Sequence, residues 1–204
     1  MNKQEQTLSD PASALPPRRA LLRQLSCGLY GLAASSLLSG VTSSNAFASP
    51  DSATHSLVGR PAPAFKLPRF TLSQGRGLEL ALNSLEGQWV YLDFWASWCA
   101  PCVLSFPFMN NLQAEKSRLG IQVVAISVDR KEDRLDAFLA TNPAEFTVLW
   151  DASGKAAKDY AVATMPTSFL INPKGVIVYE HKGFTVNTAG NLLQALERYV
   201  LQKS

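Results

Sequence analysis

The sequence predicts an α/β fold, a three-layer sandwich with a mixed central sheet. Three observations carry this. Apolar, β-branched runs alternate with amphipathic stretches through the middle of the chain. The last two apolar runs flank a turn of the hairpin kind, and an amphipathic segment follows them. Strands separated by helical crossovers run parallel and a hairpin adds antiparallel neighbours, so such a chain builds one sheet with helices on its faces.

Taken in order, Pro61-Ala62-Pro63-Ala64-Phe65-Lys66-Leu67-Pro68 reads as an extended lead-in. Residues 78–82 alternate weakly and suit a short strand before the Glu86-Gly87 turn. Trp89–Trp95 is the first strong strand, apolar except at Asp93. A helix is expected over 99–119, kinked at Pro107 and stopped by Gly120. Residues 121–128 are a buried, β-branched strand. Residues 131–141 place Leu135, Phe138 and Leu139 on one helical face. Residues 146–150 form a short strand and 154–160 a short helix, with Ser153 as its N-cap. Strands over 167–171 and 176–180 flank the turn Asn172-Pro173-Lys174-Gly175. The terminal helix, 187–201, turns Leu192, Leu193, Leu196 and Val200 to the core.

The first 48 residues read differently. A polar start with three prolines leads to Arg18-Arg19-Ala20-Leu21-Leu22-Arg23, a Ser- and Gly-rich apolar stretch over 25–41, and then Ala46-Phe47-Ala48. Charged, apolar and small-residue regions in that order form an export signal with an A-x-A cleavage site. The paired arginines resemble a twin-arginine signal, with Pro17, Leu21 and Arg23 in place of the usual hydroxyl residue, Phe and Lys. The alternative is an uncleaved N-terminal anchor, since 17 apolar-stretch residues stand at the lower limit for a membrane span. With cleavage after Ala48, residues 49–59 are expected to be a mobile leader and 60–204 a single domain. Cys27 then leaves with the signal, and 15 basic residues face 14 acidic ones. The whole-chain charge of +3 therefore argues neither for nucleic acid nor for anionic membrane binding. The expected location is the periplasm.

The chemistry concentrates in Trp98-Cys99-Ala100-Pro101-Cys102, at the junction of an expected strand and helix. Two cysteines so placed suit thiol–disulfide exchange. A thiol of pKa ~8.5 is only about 3% thiolate at pH 7. Lowering it to ~7 needs roughly 2 kcal/mol. A helix N-terminus supplies ~0.3–2 kcal/mol, so backbone N–H bonds to the Cys99 sulfur must add to the dipole. Pro101 fixes φ where its missing N–H matters least. A purely structural bridge would close too short a loop to contribute much. A zinc site needs four ligands, while the mature chain adds only the distant His55 and His181. Neither a metal nor a cofactor is expected.

Further residues extend this pattern. They are Phe94-Trp95-Ala96-Ser97-Trp98-Cys99-Ala100-Pro101-Cys102, Phe106-Pro107, Val124-Ala125-Ile126-Ser127-Val128-Asp129, and Met165-Pro166-Thr167-Ser168-Phe169-Leu170-Ile171-Asn172 with Gly175. With them the chain resembles the thioredoxin superfamily from about Val58 onward, and in particular its exported TlpA/ResA-like thiol-disulfide oxidoreductases. The resemblance implies a thioredoxin-like fold, with the 123–150 region as an extra strand-and-helix insertion. It implies that Cys99 is the nucleophile, that Cys102 resolves the mixed disulfide, and that Pro166 is a cis-proline beside them. Met165 and Trp98 would then meet the client protein. Otherwise Pro166 is an ordinary strand-start proline and Met165 a core residue. Asp93 matches the buried acid of thioredoxins proper, which exchanges a proton with the second cysteine. Exported relatives often carry a Glu three residues after that cysteine, where this chain has Ser105. The less favoured reading puts Asp93 on a solvated strand face without a role. Trp95 belongs either to the docking surface or to the core, His181 is expected to be exposed, and 131–134 to be a solvated helix start.

The resemblance further implies cysteine-containing exported clients such as apocytochromes c, a membrane thiol carrier as electron donor, and a monomer that meets the membrane only through an uncleaved signal. Two alternatives stand beside a reductase. A thiol peroxidase needs Pro-x-x-x-Thr/Ser-x-x-Cys, and those places relative to Cys99 hold Leu92 and Ala96. A copper carrier of this fold uses Cys-x-x-x-Cys with a distal His, which here could only be His181.

Overall fold

The computed structural model describes residues 56–72 and 74–202. The expected signal, 1–48, and residues 49–55 of the expected leader lie outside the described residues. The elements run β1 (Lys66–Thr71), β2 (Gly75–Ala81), a 3₁₀ turn (Leu82–Leu85), β3 (Trp89–Trp95), α1 (Ala100–Ala114), α2 (Lys116–Leu119), β4 (Ile121–Ser127), α3 (Glu132–Thr141), β5 (Thr147–Trp150), α4 (Lys155–Asp159), β6 (Thr167–Ile171), β7 (Ile177–Lys182) and α5 (Ala189–Leu201). The strands form one mixed sheet in the order β2-β1-β5-β4-β3-β6-β7. β3, β4 and β5 are parallel; β1 and β2 at one end, and β6 and β7 at the other, add antiparallel pairs.

The alternation of side chains along β3 divides the core in two. Tyr91 and Trp95 pack with Met109 of α1, Leu135 of α3 and Leu192 of α5, whereas Leu92 and Phe94 pack on the opposite face with Ala156 of α4 and Tyr160. Helices thus cover both faces of the sheet, as a three-layer sandwich requires. Every residue of β3 is buried, which is how a central strand of a covered sheet comes to be a continuous apolar run.

Several local expectations are corrected. β1 starts at Lys66, near the end of the extended lead-in, runs on to Thr71 and pairs with a longer β2 than the weak alternation indicated. The expected single helix is two, interrupted at Glu115, and Pro107 lies inside α1. Gly120 ends α2 in the left-handed region, φ 68°, as a C-cap glycine does. At α4, Gly154 occupies the cap position. The buried Asp151 accepts the Lys155 and Ala156 amides at 3.1 and 2.7 Å, and Ser153 shares only the first of them. Ser56–Gly59, the end of the expected leader, lies beside β7: Gly59 N–H donates to Ile177 O at 2.8 Å and Ser56 Oγ to Glu180 at 3.2 Å. Between 123 and 150 the chain completes β4 and adds α3 and β5, the latter inserted between β4 and β1.

Candidate active site

β3 delivers the chain to the site. After Trp95 it turns through Ala96-Ser97-Trp98, and Cys99 N–H donates to Ala96 O at 3.1 Å. Cys99 is the N-cap of α1, with extended backbone, and Pro101 falls in the first helical turn. Cys99 and Cys102 are disulfide-bonded, with Cα atoms 5.3 Å apart. Cys99 keeps an edge at the surface, 6% exposed, while Cys102 is fully covered. The pair is asymmetric in the sense that exchange chemistry uses, one sulfur approachable and one sheltered behind it.

The turn that presents Cys99 is held by Asp129, just beyond β4. Its carboxylate accepts Ser97 N–H and Ser97 Oγ–H, each at 2.8 Å, and Ser127 Oγ–H at 2.9 Å. Its own carbonyl accepts the Trp150 indole N–H. A buried carboxylate with this many donors is well satisfied and fixes the loop. Asp129 is a functional residue that sequence reasoning misses; its signal is an acid directly after a buried strand, paired with a serine two residues before the cysteine.

Asp93 is buried, 1% exposed, so the solvated-face reading does not hold. It stands two residues from both Tyr91 and Trp95 along β3, shares their face and therefore faces α1, the same side as Cys102. Its Oδ2 has no hydrogen-bond partner, and burial holds its carboxyl well above the usual carboxylate range. Ser105, at the alternative acid position, is spent locally: its hydroxyl donates to Cys102 O at 2.8 Å.

The Met165–Pro166 bond, at the start of β6, is cis. Pro166 is buried and Met165 half-buried. Met165 and Trp98, the latter 63% exposed, line one open groove of about 290 Å³ together with Val128, Arg130, Ser153 and Thr164. Trp95 belongs to the core, edge-on to Phe106 at 4.7 Å. His181 departs from expectation. It lies within β7, half-buried, stacked on Tyr179 at 6.4 Å, with Nε2 buried and unpartnered. Residues 131–134 form the largely exposed start of α3. Among the described residues, no three His, Cys, Asp or Glu side chains converge into a metal-binding group.

A model of the AhpC/TSA family matches residues 58–180. The chain belongs to the AhpC/TSA family. It is 33% identical over 116 residues to the thiol-disulfide oxidoreductase ResA of Bacillus thuringiensis subsp. konkukian, a match covering 57% of this chain and 67% of that one. Against the ResA of Oceanobacillus iheyensis the figures are 37% over 120 residues, 59% and 62%. The chain thus spans about two thirds of the length of these relatives. A crystal structure described as the thiol:disulfide interchange protein DsbE of Chlorobium tepidum is 44% identical, with a TM-score of 0.61, over 67% of this chain and 95% of that one. With its Cys-x-x-Cys pair on a shared fold, this AhpC/TSA member is a ResA/DsbE-like thiol-disulfide oxidoreductase. At the two places where a peroxidase pocket would need Pro and Thr or Ser, it buries Leu92 and Ala96.

Proposed function

We propose that the protein is exported to the periplasm and reduces disulfides of other exported proteins through Cys99 and Cys102. The observation that carries this reading is the pair itself: an approachable Cys99 at the cap of α1, with Cys102 sheltered behind it and a buried acid on the same side of the sheet. In the reduced protein the Cys99 thiolate attacks one sulfur of a client disulfide. A new S–S bond forms, and the other client sulfur leaves with the electron pair and takes up a proton. Cys102 then loses its proton to Asp93 and attacks Cys99, and the second client sulfur leaves as a thiolate. Two electrons have passed to the client, and the Cys99–Cys102 disulfide remains. Trp98 and Met165 contact the client in the groove between them, and Pro166 shapes its edge. Apocytochromes c are the leading client class, and a membrane thiol carrier restores the dithiol.

The deciding experiment is the reduction potential of the pair, measured by equilibration against glutathione or dithiothreitol. A reductase is expected to lie below roughly −200 mV. A value near −120 mV, the range of strong oxidants, overturns the direction of the reaction.

A further inference from the structure

β3, β6 and β7 lie side by side, and their registers set Asp93 opposite Ser168 and Ser168 opposite His181. Directly opposed residues share a face of the sheet. Here it is the face of Tyr91 and Leu170, beneath α1 and α5. Tyr91, diagonal to Ser168, donates its hydroxyl to Ser168 Oγ at 2.9 Å inside the core. Four polar side chains therefore run from the central strand to the edge strand across an otherwise apolar surface. Two of their atoms, Asp93 Oδ2 and His181 Nε2, are buried without a partner. Buried polar atoms left in this state are rare and ask for a reason.

The reason lies in the resolving step, and it rests on the reading of Asp93 as the group that receives the Cys102 proton. A carboxyl this deeply buried favours its neutral form. Neutral, it can take a proton at one oxygen only by giving one up at the other. We propose that Asp93, Ser168 and His181 form a proton relay that carries the Cys102 proton to the sheet edge during resolution. The Cys102 S–H bond breaks as Asp93 receives that proton. The opposite Asp93 oxygen gives its own proton to the Ser168 hydroxyl, and Ser168 gives its proton to His181 Nε2. The sulfur electron pair of Cys102 forms the bond to Cys99, and the client thiolate departs. The relay itself moves no electrons, and the imidazolium discharges to water at the edge strand. Neighbouring strands are ~4.8 Å apart, so these opposed side chains stand near enough for a rotamer change or one bridging water to join each pair as the proton passes. Tyr91 orients Ser168 as a positioning residue.

The surroundings of His181 suit it to accept. Asp93 and Tyr91 face it from β3, Tyr179 from its own strand, and Tyr199 of α5 packs on Tyr179 at 5.6 Å. Glu180 and Lys182 alternate to the other face of β7 and pair with each other at 3.1 Å. Burial lowers the imidazole pKa and favours the neutral ring, and a backbone hydrogen bond at Gly183 opposes that shift in part.

The test is stopped-flow kinetics of the full chain, reduced, with a disulfide-bonded peptide, from mildly acidic to alkaline pH. His181→Ala is expected to form the mixed disulfide at the wild-type rate. Its resolution should slow on the order of tenfold at neutral pH and approach wild type in alkali, where Asp93 ionises unaided. Added imidazole should restore the rate in proportion to its concentration, which a merely structural role would not allow. Ser168→Ala should show the same pH shift without rescue. His181→Phe keeps the ring volume and guards against misfolding. If both His181 variants resolve at the wild-type rate throughout while Asp93→Asn is slow, the relay is overturned and the role of Asp93 stands. If Asp93→Asn is also unaffected, that role fails and the relay with it.

Discussion

Asp93 concentrates the conflict between stability and chemistry in one side chain. A carboxyl whose pKa rises on folding prefers its proton in the native state. Above the ordinary carboxyl range the unfolded chain ionises it freely, so the native state loses stability as the pH climbs toward the raised value. Asp93→Asn removes that penalty. The variant is expected to be more stable than the wild type near pH 8, and the difference should shrink toward pH 4 by up to ~1.4 kcal/mol per pH unit. Urea melts of the oxidised protein check this; a variant no more stable than wild type near pH 8 contradicts it. The cysteines differ in the opposite way. Reduced Cys99, at the first turn of α1, should carry a depressed pKa from the helix terminus, worth ~0.3–2 kcal/mol. Alkylation of single-cysteine variants against pH is expected to show Cys99 reacting well below ~8.5 and Cys102 scarcely at all. Equal reactivity would remove the distinction between attacking and resolving sulfur.

At the scale of elements, the strand-to-helix turn is only as definite as its anchor. Asp129→Ala would leave the Ser97 amide and hydroxyl and the Ser127 hydroxyl short of an acceptor. A loss of about 1–3 kcal/mol is expected. It should come with faster hydrogen exchange at the Ser97 amide; unchanged exchange there would show that the turn holds without the carboxylate. This anchor also shows what could be read from the chain and what could not. β3, β4, α3 and the hairpin of β6 and β7 were legible because each carries a full apolar run or face. β1 was not, since only Phe70 of its six residues is buried and Pro68 sits within it. A strand with most of its side chains at least partly in water lacks the contrast on which periodicity depends. The cysteine pair and the lone acid of β3 were visible as local patterns. The placement of His181 was not, because its neighbours Ser168 and Asp93 are set by strand register, which joins residues 88 positions apart in the chain.

For the whole molecule, the location decides what the dithiol meets. Among the described residues no helix is long and apolar enough to cross a membrane. The stretch over 25–41 is rich in Ser and Gly. Such weak hydrophobicity behind Arg18-Arg19 suits twin-arginine export of a folded protein, and Ala46-Phe47-Ala48 suits removal of the segment afterwards. Folding before export would close the core over Cys102 and Asp93 in a reducing compartment, and the pair would then meet oxidants only outside. Replacing both arginines with lysine keeps the charge and removes the paired-arginine feature. That variant is expected to accumulate unprocessed in the cytoplasm, while the wild type yields a shorter mature form beginning at Ser49. Fractionation and N-terminal sequencing of the two forms check this. Normal processing of the lysine variant would place export on the general secretory route, and the domain would then have to fold after crossing, with its cysteines exposed to oxidation before α1 had formed.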